Sequence, residues 1–206
     1  MGVENFITFL VTALLFVMTP GMDTVFVLNK SISQGRKSGV FATFGINVGV
    51  MSHTLLGALG VSVLLSQSDL AFTMVKYVGA LYVVYLGLSK LINKNGLLAE
   101  VSENVKHSSK NDFWSGFMTN SLNPKVALFF LSFFPQFISP TQLENPIPYI
   151  LLGVTYASIG IVWYLTLTFF ASVFSVKIKN NTKMGLWINK ISGLVFVIMG
   201  IHIILI

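Results

Sequence analysis

The chain has 206 residues, 54% of them hydrophobic and 10% charged, with a mean hydropathy of +0.78. A soluble globular chain carries about 25% charged residues, so this composition excludes one and points to an integral membrane protein. Net charge is +6, and the basic residues lie between apolar runs, which reads as the positive-inside rule and not as a nucleic-acid footprint. Cysteine is absent, which excludes disulfides and thiolate chemistry.

At about 20 residues per crossing, the apolar runs predict six spans. Span 1 covers 5–28. It follows Glu4, not a basic leader, and lacks a convincing cleavage site, so it reads as a span and not a signal peptide. A basic loop with Lys30, Arg36 and Lys37 leads to span 2 over 40–65, and the short link 66–69 leads to span 3 over 72–92. The stretch 93–112 is hydrophilic, carries Lys94, Glu100, Glu103, Lys106, Lys110 and His107, and reads as a solvated linker. Span 4 covers 113–138, span 5 148–176 and span 6 191–206, with a basic loop holding Lys177, Lys179, Lys183 and Lys190 between the last two.

Eleven of the thirteen basic residues fall in or beside the loops after spans 1, 3 and 5, which places those loops in the cytoplasm and both termini outside. The exceptions are Lys76, near the outer end of span 3, and Lys125, inside span 4.

Two segments break in the same way. Thr19-Pro20-Gly21-Met22-Asp23 lies in span 1 and Asn123-Pro124-Lys125 in span 4. In each a good N-cap residue precedes proline, a residue favoured at the first helical position and unable to donate in a helix interior. The pattern predicts that each span stops and restarts, leaving free N–H groups and a positive dipole end that suit an anion. Ordinary proline kinks are the competing reading.

Lys76-Tyr77-Val78-Gly79 opens span 3 and Lys190-Ile191-Ser192-Gly193 opens span 6, so 1–92 and 113–206 read as two three-span halves joined by a cytoplasmic linker, 93–112. Three is odd, so the second half inserts upside down. The expectation is one all-α transmembrane domain over 1–206, built of two inverted three-helix repeats with helices 1 and 4 broken, a transporter architecture.

Asp23 is the one acidic residue deep in a span, where burial costs about 2.5–3.5 kcal/mol on insertion scales. It reads as a proton-carrying or ammonium-binding carboxylate, against a structural role at the helix start. Lys125 mirrors it and reads as a partner for Asp23 or for a substrate carboxylate, against a lysine that snorkels. Asn47 and His53 in span 2, with Ser52 and Thr54, could line a polar path or simply pack between helices, and His202 reads as interfacial. Gly45 and Gly49 have GxxxG spacing, and with Gly57, Gly60, Gly79, Gly87, Gly153 and Gly160 they allow close helix packing, which would permit a homodimer without requiring one. No two acidic residues share a span, and metalloprotease, Walker and Rossmann motifs are absent, so no enzyme, cofactor or metal site is expected.

Thr19 to Asp23, Ser33-Gln34-Gly35-Arg36-Lys37-Ser38-Gly39, the Gly45/Gly49/His53 pattern, 76–87, Asn120-Ser121-Leu122-Asn123-Pro124-Lys125 and Phe134-Pro135-Gln136-Phe137 together resemble the LysE/RhtB family of amino-acid exporters. The likeness runs through nearly the whole chain. It implies a bacterial inner-membrane protein that exports amino acids at the expense of the proton gradient, with Pro20, Gly21, Asp23, Asn123, Pro124 and Lys125 at the signature positions. Some relatives carry an acidic residue in span 2 or span 5, where this chain has Val50 and Gly160 nearby and no acid. One buried carboxylate suits a neutral or small polar amino acid, of the homoserine or threonine type, better than a dibasic one. Export of another solute or a metal ion, or a scaffold without transport, are the alternatives.

Overall fold

The computed structural model describes residues 2–61, 68–92, 109–179 and 182–205. Most of the expected linker, His107 included, lies outside the described residues, as does the side chain of His202. Among the described residues the chain is helical: α1 (Phe6–Met18), α2 (Met22–Ser33), α3 (Arg36–Leu56, continued by a π-helical turn Gly57–Val61), α4 (Asp69–Ile92), α5 (Ser109–Ser121), α6 (Pro124–Ser132), α7 (Pro146–Lys179) and α8 (Thr182–Leu205). Two short 3₁₀ turns, Phe134–Phe137 and Pro140–Gln142, join α6 to α7.

Both expected breaks are present, with different local chemistry. Between α1 and α2 the axis bends by 52°. Thr19 does not cap α2. It is extended (φ −65°, ψ 116°), as a residue before proline tends to be, and it belongs to the end of α1: its N–H and its hydroxyl both donate to Leu15 O, at 3.0 and 2.6 Å. Gly21 is the N-cap of α2, and it supplies no side-chain oxygen. At the second break the expectation holds. Asn123 is extended, its Oδ1 accepts the Lys125 N–H at 3.0 Å, and Pro124 opens α6.

Among the described residues two helices are long and apolar enough to cross a membrane, Arg36–Leu59 and Pro146–Ala171, and the bent pair α1–α2 qualifies as one broken span. Leu186–Ile201 within α8 is a shorter apolar stretch. The pieces α5 and α6 have 13 and 9 residues, each short of about 20. α4 carries Asp69, Lys76 and Lys90.

Small residues set the helix pairing. The backbones of α4 and α8 meet at Gly87 and Gly193, where a Cβ on either would lie 2.6–2.7 Å from the other's carbonyl oxygen. α3 lies on α5 at Gly45, whose Cβ position is filled by the Phe113 carbonyl, and at Gly49, which faces Asn120. The core is aromatic and joins α1, α6, α7 and α8. Phe16 stacks on Phe129 at 4.1 Å between ring centres, Phe129 meets Tyr156 at 5.3 Å, and Phe196 lies 5.5 Å from Phe16. The N-terminal residues are tied to the segment after α6, with Glu4 N–H donating to Phe137 O at 2.8 Å and Ser139 N–H to Gly2 O at 2.9 Å.

One expectation of solvation fails. Asp112, at the end of the hydrophilic stretch, is fully buried. Its Oδ1 lies 2.7 Å from Lys30 Nζ, and its Oδ2 accepts the Ser38 hydroxyl at 2.6 Å. The ion pair ties the end of α2 and the start of α3 to the first turn of α5. A carboxylate there is also favoured by the helix dipole.

Candidate functional site at the paired helix breaks

The two breaks exchange their polar groups. Asp23, in the first turn of α2 and buried, accepts hydrogen bonds from Asn120 Nδ2 at 2.9 Å and Asn123 Nδ2 at 3.2 Å. Both amides come from the other break. Asn123 therefore works twice, its oxygen capping α6 and its nitrogen holding the carboxylate.

Lys125 makes the return contact. Its Nζ donates to Phe16 O at 3.1 Å and to Thr19 O at 3.0 Å, the carbonyls that the end of α1 leaves without helical partners. A cation at a helix C-terminus also meets the negative end of the dipole. The ammonium lies 4.5 Å from the Phe16 ring centre and 4.9 Å from that of Phe196, within cation–π range. Lys125 thus neither snorkels nor sits within hydrogen-bond reach of Asp23; it is the cap of α1. Gly21 lets it in, since a Cβ at that position would lie 3.3 Å from Nζ and 3.4 Å from Cδ. Pro20, beside it, lines the cavity described below.

His53 joins through the backbone. Its Nε2 is 3.2 Å from Asn120 O, and its ring lies 5.7 Å from that of Phe130. Ser52 and Ser121 face each other at 3.4 Å between hydroxyls. Asn47 is not brought into this group. Its Nδ2 bonds Thr43 O on its own helix, and its Oδ1, buried with no hydrogen-bond partner among the described residues, faces Gly160 of α7. Asn120 is the site residue that sequence reasoning passed over. It lies in the last turn of α5, three residues before Asn123 and just ahead of the break, and that nearness to the break was the available signal. Its Oδ1 is buried with no hydrogen-bond partner among the described residues.

A cavity of about 300 Å³ opens on the other side of the first break. Thr19, Pro20 and Thr24 form one wall, Trp163 and Leu167 of α7 a second, and Ser192 and Val195 of α8 a third. Among the described residues no three His, Cys, Asp or Glu side chains gather where they could hold a metal ion. A carboxylate and an ammonium, each held by neutral protein groups at neighbouring helix ends, can exchange those groups for a charged ligand. They offer no nucleophile–base pair.

Two broken helices presenting opposite charges to each other's ends match the arrangement found at transporter substrate sites. The LysE type translocator model matches residues 14–205, and the chain belongs to that family: it is a multi-pass membrane translocator and not an enzyme. The chain is 28% identical over 206 residues to the uncharacterized membrane protein YrhP of Bacillus subtilis (strain 168), covering 96% of this chain and 97% of that one. It is 30% identical over 200 residues to an uncharacterized membrane protein of Vibrio cholerae, with 97% and 96% covered. It is 32% identical over 200 residues to the leucine efflux protein of Enterobacter sp. (strain 638), with 95% and 93% covered. No solved structure matches the chain.

Proposed function

We propose that this protein exports neutral amino acids from the bacterial cytoplasm across the inner membrane, driven by the proton gradient. The observation that carries the reading is the exchange at the breaks: Asp23 held by Asn120 and Asn123, Lys125 held by Phe16 O and Thr19 O. An amino-acid zwitterion brings the two charges that can replace these contacts, its ammonium going to Asp23 and its carboxylate to Lys125 and the start of α6. Asp23 carries the coupled proton when the substrate has left, since a carboxylate at that depth is stabilised by protonation once its donors move. Relatives named for leucine efflux support an amino-acid substrate with an uncharged side chain.

The transport cycle rests on six spans in one domain arranged as two inverted halves, with the linker 93–112 in the cytoplasm and both termini outside. The corresponding breaks support this arrangement. So does the packing of α3 on α7 and of α4 on α8, the pairs that a two-fold relation between the halves would generate. Rocking of one half against the other would expose the site to each side in turn.

The test is efflux from cells preloaded with single labelled amino acids, with and without a protonophore. Faster, protonophore-sensitive loss of neutral amino acids on expression of the protein is the expected result. Loss of none of them, by protein shown to reach the membrane folded, would overturn the reading.

A further inference from the structure

The two helices that bring Asp23 and Asn120 together carry a second polar layer. On α2, Asp23, Val27 and Lys30 follow one face at i, i+4 and i+7, and on α5, Asp112, Gly116 and Asn120 follow another at i, i+4 and i+8. The two faces meet antiparallel. Asp23 accepts the Asn120 amide at 2.9 Å, and two turns further along α2 the Lys30 ammonium lies 2.7 Å from Asp112 Oδ1. Along either helix the layers are about 10–12 Å apart. Between them Val27 is fully buried, and Gly116 packs on the α3 backbone at Ala42. Two more helices close the second layer. Ser38 of α3 donates its hydroxyl to Asp112 Oδ2 at 2.6 Å, and Thr168 of α7 has its hydroxyl 3.3 Å from that of Ser31. The end of the molecule near the N-terminus is closed by rings instead: Phe9 meets Phe134 and Phe137 edge-on, at 5.5 and 5.3 Å between centres.

We propose that Lys30, Asp112 and Ser38 form the cytoplasmic gate, a layer that parts to admit substrate to Asp23 and closes beneath it. The inference rests on the transport reading above and on its orientation, with the loops after spans 1 and 3 in the cytoplasm. An ion pair suits a layer that opens onto water. The attraction within a buried pair roughly offsets the cost of desolvating its two charges, so parting it into water changes the free energy little. Parting two apolar side chains into water costs the whole of their transfer. An apolar pair in the same place would hold the helices together and resist opening.

The chain has no cysteine, so a single introduced thiol reports without background. The test is labelling of Ser38→Cys by a membrane-impermeant maleimide in inverted membrane vesicles, with and without Lys30→Met and Asp112→Leu in the same chain. Ser38 is buried in the closed layer, so the reagent reaches its position only when the gate opens. Labelling should proceed with the ion pair intact and slow by about ten-fold or more with the apolar pair, the scale set by returning a buried Met or Leu side chain to water. Equal rates in the two chains would overturn the gate. If the chain with the apolar pair does not fold, labelling of Ser38→Cys is compared with its own rate of global unfolding, and labelling no faster than unfolding would overturn the gate. The second readout is counterflow of labelled neutral amino acids in proteoliposomes. Lys30→Met with Asp112→Leu should lower exchange by a similar factor while the protein stays folded, and exchange at the wild-type rate would also overturn the gate. No exchange of any amino acid by folded wild type would overturn the amino-acid reading alone, because labelling needs no substrate and still decides the gate.

Discussion

The ammonium of Lys125 lies 3.0 Å from the carbonyl oxygen of Thr19, a residue 106 positions earlier in the chain. The lysine in the first turn of α6 is thereby the cap that ends α1. One side chain holds the two breaks together, and its removal should be felt at both. In Lys125→Met the carbonyls of Phe16 and Thr19 lose their donor inside the protein, at a cost of about 1–3 kcal/mol. Thermal unfolding in detergent should show this loss. Transport should fall much further than stability, because the substrate carboxylate loses its partner as well.

Gly21 should accept a methyl group only by displacing the same lysine. A Cβ there meets the end of the Lys125 side chain at 3.3–3.4 Å, so the lysine must shift by a few tenths of an ångström. Because the obstacle is the tip of a flexible chain, Gly21→Ala should cost only about 1 kcal/mol, the low end for overpacking. Its mark should appear in the apparent KM for substrate, measured in transport assays, more than in the melting temperature.

Asn123 separates structure from transport. Asn123→Ala removes both the cap of α6 and a donor to Asp23, and should destabilise the protein by about 1 kcal/mol or somewhat more. Asn123→Asp keeps an oxygen for the Lys125 N–H but sets a second carboxylate against Asp23. It should preserve the helix start and abolish exchange. Comparing the two variants by thermal unfolding and by counterflow checks the division of labour.

Lys30 and Asp112 should behave as a buried pair. Asp112→Asn leaves the largely buried Lys30 ammonium without its counter-ion, and breaking such a pair costs about 3–5 kcal/mol. Replacing both partners by apolar residues, Lys30→Met with Asp112→Leu, should cost less than the single change. The order of melting temperatures, wild type above the double variant and the double variant above Asp112→Asn, is the readout.

The two breaks were legible in the sequence because proline and asparagine act locally: Pro124 and the Asn123 cap need only their own neighbours. Thr19 misled because its hydroxyl had two choices, the restart ahead or the carbonyl of Leu15 behind, and the geometry before Pro20 favours the second. The identity of Asp23 and Lys125 as special residues was legible from their depth, but their partners were not. The carboxylate bonds amides about 100 positions away and the lysine bonds backbone carbonyls, which leave no mark in composition. Asp112 looked solvated for the same reason, since its lysine lies 82 residues earlier. The aliphatic cavity beside the first break draws its walls from four helices far apart in the chain, so no stretch of sequence could announce it.

The most direct test of the central claim is counterflow of labelled neutral amino acids into proteoliposomes, comparing wild type with Asp23→Asn. Asparagine is nearly isosteric and can still accept the Asn120 amide through its oxygen, so the fold should survive while the charge that meets the substrate ammonium is gone. The account predicts exchange by wild type and none by the folded variant. Exchange that persists at the wild-type rate in Asp23→Asn would contradict it.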